Sequence, residues 1–455
     1  MKKHPDRHVY LTETPIPKLI PALAVPTIIS MLVTGIYNSA DTYFVGRIST
    51  EATAAVGLVF TVMAIIQALG FFCGQGSANY LARLLGAGKR QEACEVATMG
   101  FAMALVIGLC LAVFGNLEAE VLADWIGATS SSRADTVAYL RIILMGAPFM
   151  TCQFVINNQL RFQGSAMYAM IGLMCGAVIN IALDPILMFG FHLGIRGAAI
   201  ATISGQFVSF CALMIGSRMG ENIRLSIRYL KPNPAYVASI AANGFPSLMR
   251  QGMAAISTLL LNRYANFYGG DPAIAGMSIV NRILMLLMSA LVGFGQGYQP
   301  VCSYNYGAGL YSRVKEGYRF CVKYGTVLLT VFAALCLIFA EPVVGWFRDD
   351  PAVVEVGKTA LRWQAAALPL MATSILTNMM LQATGKSLKS SITSSARNGI
   401  FFIPLILILP RIFGLQGVEM TQAVADVLSF FLAVPLAYSE LRKMDENAPQ
   451  KKPDA

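Results

Sequence analysis

Residues 293–309, "GFGQGYQPVCSYNYGAG", repeat something the chain has already written at residues 71–88, "FFCGQGSANYLARLLGAG". In both copies Gly-Gln-Gly is followed twelve positions on by Gly-Ala-Gly, and the second copy lies 221 residues after the first, about half the chain. Other matches keep the same order at an offset near 220. Pro26 answers Pro246, Gly57 answers Gly276, Arg141 answers Arg362, Pro148 answers Pro369, Asn157 answers Asn378, and Gly164 answers Gly385. "GIRG", ending at Gly197, answers "GLQG", ending at Gly417. The chain is a duplication.

What is duplicated follows from composition. Of 455 residues, 56% are hydrophobic and 13% charged, and the mean hydropathy is +0.60. A soluble domain carries about 25% charged residues, so this is a membrane protein. Apolar stretches of the roughly 20 residues needed to cross a bilayer recur at 17–43, 53–82, 94–116, 136–160, 167–190, 195–217, 236–265, 273–303, 316–346, 356–382, 389–412 and 417–440. These are twelve transmembrane helices, six per half. An even number makes both halves enter the membrane in the same sense, as two six-helix lobes related by a pseudo-twofold along the membrane normal. The expected organisation is an amino-terminal lobe at 1–218, a cytoplasmic linker at 219–235, a carboxy-terminal lobe at 236–440 and a polar tail at 441–455.

The formal charge of +10 does not point to nucleic acid, because of where it sits. Lys2, Lys3, Arg7, Lys89, Arg90 and the basic residues within 218–231, 313–323, 386–389 and 442–452 occupy the two ends and alternate loops. About 22 Lys and Arg fall on that side against about 9 on the other, which places both termini in the cytoplasm. The opening "MKKHPDRHVYLTETPIPK" is polar and runs directly into a full span, so the first helix reads as uncleaved. Nine cysteines are scattered singly with no Cys-x-x-Cys pair, and they read as small packing residues. Phosphate binding by the Gly-x-Gly motif is disfavoured: no strand precedes it and no P-loop lysine follows.

Ionisable groups inside a span are costly and mark function. The first span runs outward and carries Asp41 near its outer end; the fifth also runs outward and carries Asp184 in its outer half, with Asn180 one turn earlier on the same face. The sixth runs inward, which puts Thr202 at a similar depth. Two acids sharing a low-dielectric site cannot both ionise cheaply, so they are suited to exchanging a proton. Carboxylate, amide and hydroxyl oxygens also suit Na⁺, in which case Asp41 and Asp184 are the metal ligands. Asn157 extends the candidate set from nearer the cytoplasmic end. The competing structural reading is that Asp41 sits at a wet helix end and Asp184 begins a break at Pro185. Pro26 lets the first helix bend, or serves as a static kink. Tyr37, Arg250, Gln251 and Gln296 are candidates to line a substrate cavity, with Met and aromatic side chains supplying a pliable wall. Arg250 either pairs within its lobe or faces substrate, and Arg397 with Asp426 reads as a buried pair between the last two spans.

Pro26 with "DTYFVG", "GQGSANYLARLLGAG", "NNQLRFQG", "NIALDPILMFG", "GIRGAAIAT", "FGQGYQP", "NYGAG", "LQATGK" and "RNGIFFIPLILILP" together resemble the MATE (multidrug and toxic compound extrusion) family, in particular its DinF-related, MepA-like branch, over nearly the whole chain. The resemblance implies secondary antiport: H⁺ or Na⁺ enters while an amphipathic, mostly cationic drug-like molecule leaves. The expectation is a monomeric multi-pass exporter in the cytoplasmic (inner) membrane of a prokaryote, surrounded by membrane lipid, with no cofactor beyond the coupling ion and no nucleic-acid partner. It implies the same amino-lobe residues as the cation site. Where other branches place acids in the carboxyl lobe, the seventh and tenth spans here offer Gln251, Gln364 and Asn378. The alternative is a lipid-linked oligosaccharide flippase of a related two-lobed class, with Arg250 and Arg282 holding a phosphate. A channel is disfavoured because twofold lobes offer no ring of selectivity residues. An enzyme is disfavoured because His4, His8 and His192 form no metal motif.

Overall fold

The computed structural model describes residues 7–446, with the backbone alone at residues 36, 38–40, 42 and 50. Lys2, Lys3 and residues 447–455 of the polar tail lie outside the described residues. The last helix, Leu415–Glu446, continues past the point where the tail was expected to begin.

Eleven helices among the described residues are long and apolar enough to span a bilayer. One of them, Pro234–Gly307, has 74 residues; at 1.5 Å per residue it would be about 110 Å long, several times the hydrocarbon thickness. It is broken at Gly270, whose φ of 60° is a left-handed conformation available cheaply to glycine, within the run Gly269-Gly270-Asp271-Pro272. The two pieces, 234–269 and 271–307, are the seventh and eighth spans, which makes twelve. The first six are Ile16–Val45, Thr50–Gly86, Arg90–Leu117, Arg133–Phe162, Ala166–Pro185 with its π-helical extension Ile186–Gly190, and Gly194–Arg218. The ninth and tenth are Tyr311–Ile338 and Pro351–Ala383. The eleventh is Ser387–Ser395 joined to Phe402–Phe413 through the π-helical turn Ala396–Ile400, and the twelfth is Leu415–Glu446.

The fourth and tenth spans are the most enclosed, with 72% and 67% of their apolar windows buried against 28–44% in the others. A helix wrapped by protein has less need of a lipid-compatible surface. These two accordingly carry the buried amides Gln153, Asn157, Asn158, Gln159, Gln364, Asn378 and Gln382.

The chain divides into two compact units, one comprising residues 1–11 and 25–244, the other residues 12–24 and 245–455. The first span therefore begins in the second unit and passes into the first at Ala24/Val25; the seventh begins in the first and passes into the second at Gly244/Phe245. Each passage falls just before a proline, Pro26 or Pro246, which removes a backbone hydrogen bond and makes bending inexpensive there.

This exchange explains the repeated Gly-Gln-Gly. A Cβ on Gly74 would stand 2.9 Å from Asn158 Nδ2 in the fourth span, and one on Gly295 2.3 Å from Met379 Sδ in the tenth. On the second glycine, a Cβ at Gly76 would stand 2.2 Å from the Ile240 carbonyl oxygen, and one at Gly297 2.7 Å from Ala24. The first glycine of each motif admits the central post of its unit. The second admits the helix start delivered by the opposite half of the sequence.

Candidate functional site

The fifth and sixth spans meet backbone to backbone because glycines face each other along the seam. A Cβ on Gly176 would lie 2.3 Å from the Gly205 carbonyl, one on Gly205 would lie 2.9 Å from Asn180 Cβ, and one on Gly197 would lie 2.8 Å from the Leu187 carbonyl. Gly197 thus fixes the sixth span against residue 187 and Gly205 fixes it against residue 180. Thr202 lies between those two anchors, at the level of Asp184.

Asp184 is fully buried on the last turn before Pro185, and Asn180 and Thr202 are buried with it. Pro185 has no N–H to give to the Ile181 carbonyl, and the helix continues as the wider π turn Ile186–Gly190. Asp41, on the first span, lies within electrostatic range of Asp184 and of the Tyr37 hydroxyl. Tyr139, wholly buried on the fourth span, has Asp41, Thr202, Asp184 and Tyr37 around its hydroxyl. Tyr37 is backed by Gln206, which is hydrogen-bonded to Gln153. Four spans of the amino-terminal unit therefore converge on one polar cluster.

Its distinguishing property is lack of internal satisfaction. Asp184 Oδ1 and Oδ2, both amide atoms of Asn180, Asp41 Oδ1 and the Tyr139 hydroxyl are all buried and have no hydrogen-bond partner among the described residues. The Tyr139 hydroxyl faces Thr202 without completing a bond of good geometry. Buried polar groups are nearly always paired, so four neighbouring residues in this condition form a candidate site for a small guest. Two carboxylates, an amide oxygen and two hydroxyls are hard oxygen donors, which fit a proton or Na⁺. No group of three or more His, Cys, Asp or Glu that would hold a transition metal occurs among the described residues.

Of the residues singled out from sequence, Asp41, Asn180, Asp184, Thr202 and Tyr37 are brought together. Asn157 is engaged elsewhere: its amide donates to the Ala169 carbonyl at 3.0 Å, tying the fourth span to the fifth. Arg250, Gln251 and Gln296 belong to the second unit. Gln296 is buried between the two close-packed glycines of its motif. Arg250 and Gln251 are half-buried, and helical spacing puts Arg250 on the face of the seventh span that carries buried Ser247 and Ser257. Arg397 Nε donates to Asp426 Oδ1 at 2.7 Å, and Gln422 donates to the same oxygen at 3.0 Å. Tyr139 was not anticipated, although a signal existed. In the repeat "YLR"/"ALR", Tyr139 is answered by Ala360, so a polar group appears in one half alone. Buried Glu419 of the twelfth span was also passed over.

A sequence model of the MatE family matches residues 26–186 and 245–408. The match comes in two blocks that begin at Pro26 and beside Pro246, reproducing the duplication. The multidrug export protein MepA of Staphylococcus haemolyticus (strain JCSC1435) is 29% identical over 432 residues, covering 94% of this chain and 95% of the relative. Among solved structures, an outward-facing multidrug resistance MATE family transporter of the MOP superfamily superposes with a TM-score of 0.90 at 26% identity, over 98% of this chain and 100% of that one. A MOP superfamily transporter from Pyrococcus furiosus, described as having a binding pocket of reverse polarity that suggests a different function, superposes with the same TM-score at 25% identity and the same coverage.

Proposed function

The chain belongs to the MatE family of transport proteins, and from that premise we propose that it is a secondary multidrug exporter of a prokaryotic cytoplasmic membrane, with both termini cytoplasmic, acting as a monomer. It exchanges H⁺ or Na⁺ for amphipathic, mostly cationic organic compounds by alternating access, and the exchange is driven through Asp41 and Asp184. It is not an enzyme. The observation that carries this reading is the set of buried, unpartnered oxygens on Asp41, Asp184 and Asn180.

The mechanism follows from charge. With both carboxylates ionised, their repulsion and desolvation oppose closure of the amino-terminal unit. One entering cation or proton relieves both terms, and Thr202, Tyr139 and Asn180 complete its surroundings. A ligand shifts a conformational equilibrium only by its differential affinity for the two states. The cation therefore favours the conformation in which these side chains converge, and its release favours the other. Moving one charge through 100 mV is worth about 2.3 kcal/mol, to which a pH or Na⁺ gradient adds. Pro26 and the π turn after Pro185 are the places where the first and fifth spans yield at low cost.

The test uses purified protein in sealed vesicles with an imposed pH or Na⁺ gradient and a fluorescent cationic dye. Wild type moves dye with one of the gradients, while Asp41→Asn and Asp184→Asn lose that response by at least about tenfold, equivalent to 1.4 kcal/mol. Dye movement unaltered in both variants would remove the coupling site. A second reading, a flippase for lipid-linked oligosaccharides, is favoured by Arg250, a mid-span cation with no ion-pair partner among the described residues. Labelled lipid crossing the vesicles, with dye indifferent to either gradient, would select it.

A further inference from the structure

A second site lies far along the chain from the acids, at the start of the ninth span. A groove of about 540 Å³ is lined there by Lys315, Arg319 and Lys323, by the acid Glu316, and by Phe320 and Tyr324, with Pro17 and Ser312 completing its wall. Three cations repeat at four-residue spacing, which places them along one ridge of the helix. Lys315 is bonded to Asp445, and Glu316 adds one further negative charge. Arg319 and Lys323 are exposed and have no ion-pair partner among the described residues; Lys323 Nζ lies 5.8 Å from the Tyr324 ring. Lys18, the residue after Pro17 in sequence, is also exposed.

The ridge changes character one turn further on. Continuing the four-residue steps from Lys323 gives Val327, Val331 and Leu335, exposed by 55%, 54% and 47%, with the Phe320 and Tyr324 rings 4.6 Å apart and tilted by 49° where the polar and apolar parts join. Cations, then aromatic rings, then a strip of exposed aliphatic side chains reproduce the polarity profile of half a bilayer. The first span's start is held to the same end, since Arg313 donates to the Thr14 carbonyl at 2.7 Å.

We propose that this groove binds an anionic phospholipid, its phosphate between Arg319 and Lys323 and its acyl chains along Val327, Val331 and Leu335. A basic groove alone would accept any phosphate. The aliphatic continuation selects the lipid over a free ion. Under the topology proposed above the site faces the cytoplasmic leaflet. Its position on the ninth span is independent of the coupling acids.

Native mass spectrometry of the full chain, released from membranes of equal phosphatidylglycerol and phosphatidylcholine, measures this directly. Wild type retains phosphatidylglycerol about tenfold over phosphatidylcholine. Arg319→Gln with Lys323→Gln brings the ratio near one while the denaturation temperature is kept, and Arg319→Lys preserves most of the preference. Retention of phosphatidylglycerol by the double variant at the wild-type ratio overturns the site. Displacement of the lipid by millimolar glycerol phosphate, with no help from acyl chains, overturns the lipid assignment and leaves a free-phosphate site.

Discussion

The two halves of this chain keep the same scaffold and opposite chemistry. At the positions that answer Asp41, Tyr139 and Thr202 the second half has Leu261, Ala360 and Gln422, and the stretch answering 180–185 is 401–406, apolar throughout. The acid that the carboxyl unit buries between its last two spans is paired, since Arg397 and Gln422 both donate to Asp426 Oδ1. Its unpartnered buried atoms are the neutral ones of Gln299, Gln364 and Ser374, whereas in the amino unit the carboxylates of Asp41 and Asp184 leave oxygens unused. Positions that hold helices together are duplicated, and the residues proposed to couple transport are not. The proposed coupling site coincides with departures from the repeat.

The largest expected effect comes from making one chemical change in both halves. Asp184→Asn removes a charge that another acid repels, so the folded protein should denature at the same temperature or higher while gradient-driven transport falls to background. Asp426→Asn removes the charge that neutralises Arg397. Breaking a buried pair costs about 3–5 kcal/mol; the Arg397 side chain is 30% exposed, so about 2–3 kcal/mol is expected, seen as a lowered denaturation temperature with the gradient response retained in whatever protein is folded. Arg397→Met combined with Asp426→Leu should recover most of that loss. If Asp426→Asn instead uncoupled transport at unchanged stability, the division of labour between the halves would be wrong.

Next in size is the pair of motif glycines. Gly76→Ala and Gly297→Ala each drive a methyl into backbone at 2.2 Å and 2.7 Å, where no flexible side chain can withdraw. Overpacking of this kind costs about 1–3 kcal/mol. Gly57→Ala, with nothing within 4 Å of the new methyl, should be neutral or slightly stabilising and serves as the control. Denaturation midpoints that fell for one motif glycine and not the other would show that the two helix starts are held differently, against the reading of the repeat as an exchange.

Most of the scaffold was legible because hydropathy, basic loops and glycine spacing are each local in sequence. The depth shared by Asp41, Asn180, Asp184 and Thr202 followed from span direction alone. Tyr139 was hidden for a physical reason: the fourth span is enclosed over 72% of its apolar window, so buried residues occur on most of its sides and its pattern does not say which side meets the cluster. The passage of helix starts at Ala24/Val25 and Gly244/Phe245 was hidden as well. The prolines that follow both crossings mark places to bend, but nothing in composition or charge marks a change of unit there. Arg250 is recognisable in the sequence as a charge inside a span, but its helix face needed the neighbours Ser247 and Ser257 to be seen as packed.

The smallest expected difference concerns the duplicated asparagines, and it measures how far the halves have drifted even in their scaffold. Asn157 reaches the Ala169 carbonyl at 3.0 Å. Asn378 reaches the Ser390 carbonyl at 2.7 Å and has the Thr393 and Ser394 hydroxyls at 2.8 Å and 2.7 Å around the same nitrogen. An amide nitrogen has only two hydrogens, so the extra hydroxyls raise the number of good arrangements more than the number of bonds. At about 1 kcal/mol for each bond actually made, Asn157→Ala should cost about 1 kcal/mol and Asn378→Ala about 2 kcal/mol. Neither should change which gradient moves the dye. A loss of gradient response in Asn157→Ala at preserved stability would return that residue to the cation path, and the cluster of Asp41, Asn180, Asp184, Thr202 and Tyr139 would then need an inner extension along the fourth span.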